Sequence, residues 1–481
     1  MKKTESRCPV FSKCGACAHI DVPYGEQLSK KKESLKRLLA EYGSVDEMVG
    51  MKDPFHYRCK VTGIFVQGKS GKIEAGNYYE GSKNIVPVNK CYLEDVRADS
   101  IISDVAELLR SFKMKIYNDR TGYGNFRYSL VRVGKNTGEI MLILVTRSPV
   151  FPSKNNFVKA LREKHPEITT IVQNINDRTD SMILGNRNNV LYGKGYIEDR
   201  ICGLVFRISP GSFYQVNPVM AELLYKKVAD LAGLKGSETV MDAYCGTGTI
   251  GLILSSKAAS VKGVELSRDA IRDARVNTKI NSIKNAEFYA GDAGEFLEEY
   301  CSQGGKMDLL IADPPRSGLS GEFIATLKKN PPEKLIYVSC NPITLERDLK
   351  LLTDRHSKGA AFTVRHISGF DMFPFTEHVE TICLLSKGDV KSQKLRVEFS
   401  LEDMDTDGFK RGATYNAIRD WIKEKYGYRV TNLNIAQVKQ KHGIIERENY
   451  NKPKSPDSRQ PGCPEEKIKA IEDAMRHFQM I

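Results

Sequence analysis

The sequence predicts an α/β protein: a mainly parallel sheet set among helices, with an α+β domain before it and a small helical appendage after it. Three observations predict this. From about residue 206 to 388, apolar strand-like runs alternate with helical stretches, the signature of βαβ units. Residues 1–205 instead mix short apolar runs (VTGIFVQ, IMLILVT, ITTIVQNI) with Gly and Asn turns, which reads as antiparallel sheet with a few helices. After LLSKGDVKSQK the composition turns polar. Residues 389–481 read as a helical extension carrying an irregular Pro-rich stretch, NYNKPKSPDSRQPGCP.

The bulk properties agree with a globular protein. The chain has 481 residues, 41% of them apolar, enough for two or three domains. No apolar run is long enough to span a bilayer, and the opening MKKTESRCPVFSK lacks the apolar core of a signal peptide. A cytoplasmic location, no membrane partner and a monomer are expected. The net charge of +13 suits a polyanionic partner such as nucleic acid, or simply solubility. The 11 cysteines are odd in number and scattered, a pattern that suits metal ligation or catalysis better than a disulfide framework.

Along the first domain, CPVFSKCGAC places Cys8, Cys14 and Cys17 at C-x5-C-x2-C spacing, and VNKC adds Cys91 far downstream. Three clustered cysteines and one distant partner make a tetrahedral thiolate set, which fits zinc or a [4Fe–4S] cluster. Spacing alone does not choose between them. It differs from the C-x3-C-x2-C of radical enzymes, which leave one iron open. Cys59 in HYRCKV competes with Cys91 for the fourth place. A helix is predicted near Glu26 to Tyr42.

The second domain carries strands TVMDAYC, VKGVEL, AEFYAGD, MDLLIAD and KLIYVSC in turn. DAYCGTGTIGL, Asp242 to Leu252, is a glycine-rich turn from a strand into a helix, where Gly246 and Gly248 permit tight turning and close approach of a ligand. Glu265 ends the next strand, placed to accept ribose hydroxyls. Asp292 ends the third and Asp313 the fourth. Ligands of open α/β sheets sit at these carboxyl ends. Any one of these acids alone reads as a solvated strand end or a helix cap; three in order after the glycine turn read as a pocket. The Walker pattern is missing, which leaves S-adenosylmethionine as the candidate ligand, its carboxylate near a helix N-terminus.

The fifth strand runs into VSCNP, Val338 to Pro342, where Cys340 sits in a turn of Ser, Asn and Pro. A cysteine there is packing, a metal ligand or a nucleophile. DPPR separates this chain from amino-group methyltransferases, which place an aromatic residue where Arg316 stands. Cytosine-C5 enzymes place their cysteine after a proline, unlike SCNP.

SFYQVNP (Ser212 to Pro218), DAYCGTG, DPPRSG, SCNP and FPFTEHVET (Phe373 to Thr381) together resemble the RNA uracil-C5 methyltransferases. The nearer branch is the 23S ribosomal RNA enzymes that carry an iron–sulfur cluster, and the resemblance spans about residues 7 to 387. It implies a Rossmann-like S-adenosylmethionine methyltransferase domain behind an α+β iron–sulfur and RNA-binding domain. It implies that Gln215, Tyr244, Thr249, Glu265, Asp292 and Asp313 line the S-adenosylmethionine pocket, that Cys340 is the nucleophile and that Glu380 is the general base. Thr249 departs from the family, which often has Asn there. It also implies that Cys8, Cys14, Cys17 and Cys91 hold a [4Fe–4S] cluster. Cys202, Cys245, Cys301, Cys383 and Cys463 are left as packing.

The chemistry makes these residue types intelligible. A thiolate adding to C6 of uracil turns C5 into an enolate carbon able to take a methyl group, and a base must then remove the C5 proton. Free cysteine, with a pKa of about 8.5, is only slightly ionised at neutral pH, so a basic neighbour such as Arg316 is expected. The base must be flipped from its stack to be reached.

Many relatives begin with a β-barrel RNA-binding module, which this sequence lacks before Cys8, so RNA grip is expected elsewhere. In the tail, GATYNAIRDWIKEKYGY and VTNLNIAQVKQKHGI read as two helices with Ile418, Ile422, Leu433, Ile435 and Val438 inward, resembling a helix-turn-helix. That suits RNA or ribosome contact and packing equally. The leading expectation is methylation of 23S ribosomal RNA. The alternatives are a transfer RNA uridine-C5 methyltransferase and a catalytically idle RNA-binding or ribosome-assembly protein.

Overall fold

The computed structural model describes residues 8–68, 70–82, 84–119, 121–356, 358–388, 415–442 and 463–478. Its contacts divide the chain into two units, Met1–Ser392 and Gln393–Ile481.

In the first unit, α1 (Tyr24–Leu38) and β1 (Glu47–Val49) stand apart from the sheet that follows them. That sheet is built from β2 (Lys60–Gln67), β3 (Ile73–Tyr78), β4 (Ile85–Pro87), β5 (Phe126–Val133), β6 (Ile140–Thr146), β7 (Ile168–Ile175) and β8 (Arg187–Tyr192), in spatial order β4-β3-β2-β5-β6-β7-β8. β2 alternates buried and partly exposed positions, as a strand with one face on a core requires. Helix α2 (Val96–Ser111) covers that core with Ala98, Ile101, Val105 and Leu109.

The expected antiparallel sheet is in fact mixed. β6 and β7 run parallel, and the other pairs are antiparallel. The reason is α3 (Lys154–Lys164), which lies between them: a parallel pair needs a crossover, and a helix supplies it. IMLILVT is buried at every position instead of alternating. The hairpin β9 (Ile197–Ile201) and β10 (Leu204–Ile208) completes this part of the chain.

The second sheet begins after α4 (Pro218–Ala232). It takes β11 (Thr239–Ala243), α5 (Thr249–Ser255), β12 (Ser260–Glu265), α6 (Arg268–Ile280), β13 (Ala286–Ala290), α7 (Ala293–Ser302), β14 (Leu309–Ala312), α8 (Gly321–Lys329), β15 (Lys334–Ser339), α9 (Pro342–Thr353), β16 (Phe362–Phe370) and β17 (Glu380–Lys387). Its order is β1-β16-β17-β15-β14-β11-β12-β13. β11 to β15 are parallel, and β14 is wholly buried, as a sheet covered on both faces demands. β17 slots antiparallel between β15 and β16. At the edge, β1 pairs parallel with β16, Glu47 opposite Ser368.

The second unit has α10 (Tyr415–Tyr426), α11 (Asn432–Lys441) and α12 (Glu465–His477). Gly427 turns the chain at φ 77°, and Thr431 with Asn434 forms a capping box that starts α11. Ile418, Ile422, Ile435 and Val438 are buried against Ala470, Ile471, Ala474 and Met475 of α12. The third helix was not foreseen. The Leu433 side chain and most of NYNKPKSPDSRQPGCP lie outside the described residues. Among the described residues no helix is long and apolar enough to cross a membrane.

Candidate active site

The glycine turn after β11 is built for close approach. Tyr244, Gly246 and Gly248 all take positive φ, at 64°, 54° and 79°. A Cβ on Gly248 would sit 2.7 Å from Phe288 Cζ, so only glycine packs there, whereas a Cβ on Gly246 would face open space. The N–H of Gly246 donates to Glu265 Oε2 at 3.3 Å, which ties the turn to the end of β12. Glu265 Oε1 accepts from Ser267 N at 2.9 Å.

Of the other expected pocket residues, Asp292 is the N-cap of α7, accepting from Gly294 N and Glu295 N. It also faces the Tyr244 phenol, which burial first and then the charge of Asp292 push up to about 12. Thr249 opens α5 and is buried, its hydroxyl 3.2 Å from that of Thr247. Asp313 follows β14, and burial lifts its carboxyl to about 7.

SFYQVNP is the bridge between the two sheets. Arg132 on β5 donates to the carbonyls of Pro210 and Ser212 at 3.1 and 2.6 Å. Cys59 donates its N–H to Val216 O at 2.8 Å and its thiol lies 3.5 Å from Gln215 O. On the other side Ser212 Oγ bonds Asp273 of α6, and Asn217 Nδ2 donates to Met372 O at 3.0 Å. Gln215 is thereby held, nearly buried, at the junction.

Two residues there escaped the sequence reading. Tyr225 on α4 is buried with its phenol hydrogen-bonded to Gln215. Burial, then the charges of Asp313, Glu380 and Asp242, push that phenol far above its ordinary range. It lies on the buried face of α4, where an aromatic residue reads as core, and nothing in the sequence marks its hydroxyl. Asp242 heads DAYCGTG. It is buried, accepts from Gly251 N at 2.8 Å, and burial raises its carboxyl to about 7.

Cys340 leaves the end of β15. Ser339 is paired with Thr381 on antiparallel β17, so the next rung brings Cys340 beside Glu380. The turn is fixed by its own polar residues. Asn341 N donates to Ser339 Oγ at 3.1 Å, and Asn341 Oδ1 caps α9 through Ile343 N at 3.2 Å. Asn341 Nδ2 and Thr344 Oγ1 both donate to Arg316 O, at 3.1 and 3.2 Å, which locks SCNP to DPPR. Cys340 and Arg316 line a cavity of about 620 Å³ with His19, Lys30, Glu377 and His378.

The electrostatics of the pair are opposed. Burial raises the Cys340 thiol, the carboxylates of Glu380 and Asp313 raise it further, and Arg316 lowers it. Glu380 is buried, and burial with Asp313 lifts its carboxyl to about 8, against Arg316.

The N-terminal cysteines lie in one neighbourhood. Cys8, Cys17 and Cys91 pack around Ile20, Tyr57, Leu93 and Phe375. Cys8 and Cys14 act electrostatically on Cys17, whose thiol burial raises to about 11, and burial raises Cys91 to about 12. All are free thiols. Among the described residues no three Cys, His, Asp or Glu side chains already converge on a metal-binding geometry. The donor set fits a thiolate-bound metal in chemistry and neighbourhood; the thiols would have to close in and lose their protons. Cys59 is turned away, under Gln215.

The family profile described as tRNA (Uracil-5-)-methyltransferase matches residues 23–388. An uncharacterized RNA methyltransferase of Clostridium tetani is 38% identical over 394 residues, covering 81% of this chain and 84% of its own. One of Enterococcus faecalis is 38% identical over 396 residues, covering 80% and 85%. Among solved structures, the Pyrococcus abyssi tRNA (uracil-54, C5)-methyltransferase in complex with S-adenosyl-L-homocysteine superposes with a TM-score of 0.64 at 29% identity, covering 77% of this chain and 86% of its own. The chain belongs to the tRNA (uracil-5-)-methyltransferase family of S-adenosylmethionine-dependent RNA methyltransferases.

Proposed function

We propose that the protein methylates C5 of uridine in 23S ribosomal RNA, with Cys340 as nucleophile and Glu380 as general base. The observation that carries the reading is the rung beyond Ser339 and Thr381, which brings the Glu380 carboxyl close enough to act on the Cys340 thiol. S-adenosylmethionine supplies the methyl group, with Gln215, Tyr244, Thr249, Glu265, Asp292 and Asp313 as its pocket. The thiolate of Cys340 adds to C6, and the electron pair gained at C5 takes the methyl as the sulfonium S–CH3 bond breaks and S-adenosylhomocysteine leaves. Glu380 then accepts the C5 proton, the S–C6 bond breaks, and the thiolate is restored. Burial lifts the Glu380 carboxyl to about 8, so its ionised form binds a proton more strongly than a free carboxylate does. Arg316 favours the thiolate.

In this reading Cys8, Cys14, Cys17 and Cys91 hold a [4Fe–4S] cluster, supported by three free thiols around one apolar patch, Cys8, Cys17 and Cys91, and by Cys14 acting on Cys17. The second reading is a transfer RNA substrate, favoured by the solved relative named for uracil-54 of tRNA. Mapping 5-methyluridine in ribosomal and transfer RNA from cells with and without the protein separates the two. The roles are tested on the variants. Cys340→Ala abolishes methyl transfer, while Glu380→Gln accumulates a methylated protein–RNA adduct visible in a denaturing gel. Methylation by Cys340→Ala, or normal turnover by Glu380→Gln, would falsify the assignment.

A further inference from the structure

Residues 371–379 join β16 to β17 and lead directly into Glu380. Phe375 in this loop has φ 65°, a conformation that a non-glycine residue keeps only where its surroundings impose it. The surroundings come from the other end of the chain. Lys31 on α1 donates to Asp371 Oδ1 at 2.6 Å, Phe373 O at 3.3 Å and His378 O at 3.0 Å. These bonds use all three ammonium protons on one loop. The side chains of Lys31 and Asp371 are 6% and 0% exposed.

Gln27 lies one turn earlier on the same face of α1. Its Oε1 accepts from Phe375 N at 3.1 Å, and its Nε2 donates to His19 O and Val22 O at 3.0 and 2.7 Å. Phe375 O in turn accepts from Ala18 N and His19 N at 2.9 and 3.1 Å. Both polar groups of the strained residue are therefore held from outside the loop. A buried ion pair is a weak source of stability, because desolvation offsets its attraction, but it fixes geometry. Cys340 follows β15, outside this loop, and the loop meets the cofactor side at Met372 O, which accepts from Asn217 and is not one of the groups that Lys31 and Gln27 bond.

We propose that Lys31, with Gln27, is a positioning residue for the second half of the reaction: it holds the 371–379 loop so that Glu380 meets the C5 proton of the methylated adduct. The inference rests on the roles given above to Cys340 and Glu380.

The double variant Lys31→Met/Asp371→Leu removes the pair without leaving a buried charge, and Gln27→Leu is the milder probe. Each is mixed with S-adenosylmethionine labelled in its methyl group and an unmodified 23S ribosomal RNA transcript, with an unmodified transfer RNA transcript beside it. Samples are quenched in denaturant. Methyl transfer into the protein–RNA adduct should stay within about three-fold of the parent, while release of methylated RNA slows about ten-fold or more in the double variant, with the same sign in Gln27→Leu. The adduct should accumulate as in Glu380→Gln. Equal slowing of both half-reactions, loss of cofactor affinity, or parental release rates would overturn the proposal. If Glu380→Gln traps adduct and these variants do not, only the clamp fails. If Glu380→Gln traps none, the base assignment fails and the proposal falls with it.

Discussion

Arg316 lowers the thiol pKa of Cys340, and it does so against burial and against the carboxylates of Glu380 and Asp313. The cation sits on the loop that Asn341 and Thr344 bond through its carbonyl, so the charge is held where the thiol emerges. Arg316→Met should therefore move the pH profile of Cys340 alkylation by iodoacetamide to higher pH, since the thiolate loses its favourable neighbour. Cys340→Ala gives the background labelling. An unmoved profile would show that the guanidinium does not act on the thiol.

Glu380 predicts a pH-dependent stability. Its carboxyl rises from 4.5 to about 8 on folding, so across that window the folded chain keeps a proton that the unfolded chain has released. Stability then falls as pH rises, by about 1.4 kcal/mol per unit of the shift at most. Glu380→Gln removes this loss. Its melting temperature should gain on the parent steadily between pH 5 and 8. Parallel curves for the two proteins would contradict a buried, proton-holding Glu380.

Iron analysis tests the cysteines. Protein purified without oxygen should be brown with about four irons per chain, as a [4Fe–4S] cluster requires. Cys8→Ser, Cys14→Ser, Cys17→Ser or Cys91→Ser should bleach it. Cys59→Ser should not, because that thiol lies against Gln215 O. One zinc and no colour would replace the cluster by a closed zinc site.

Removing residues from 389 onward tests the helical extension. α10 to α12 have their own apolar core, so the truncated chain should bind S-adenosylmethionine as before. RNA affinity should drop, and its dependence on salt should become shallower if Lys or Arg contacts to phosphate are lost. Unchanged RNA affinity and turnover would make the extension a packing element.

What the sequence made legible was whatever is local. The glycine turn, the acids at successive strand ends and the SCNP turn all announce themselves within a few residues, because sterics and strand alternation act at that range. Partnerships across the chain were hidden. No periodicity says that β17 enters antiparallel between β15 and β16, although that insertion is what sets Glu380 beside Cys340. Nor does the pattern of α1 single out Lys31: it reads as one charge among several on KKKESLKR, and only its partner 340 positions away makes it special. Tyr225 was hidden for the opposite reason, since an aromatic residue on a buried helix face needs no further explanation.

The pairing of β1 with β16 also orders events during synthesis. Glu47 finds Ser368, and Lys31 finds Asp371, only after most of the chain has left the ribosome. Until then α1 has no partner for its buried charge, and Cys8 and Cys17 have no Phe375 to pack against. Such distant contacts close slowly. The beginning of this protein thus waits for its partners until the strand that begins at Glu380 is close to being made.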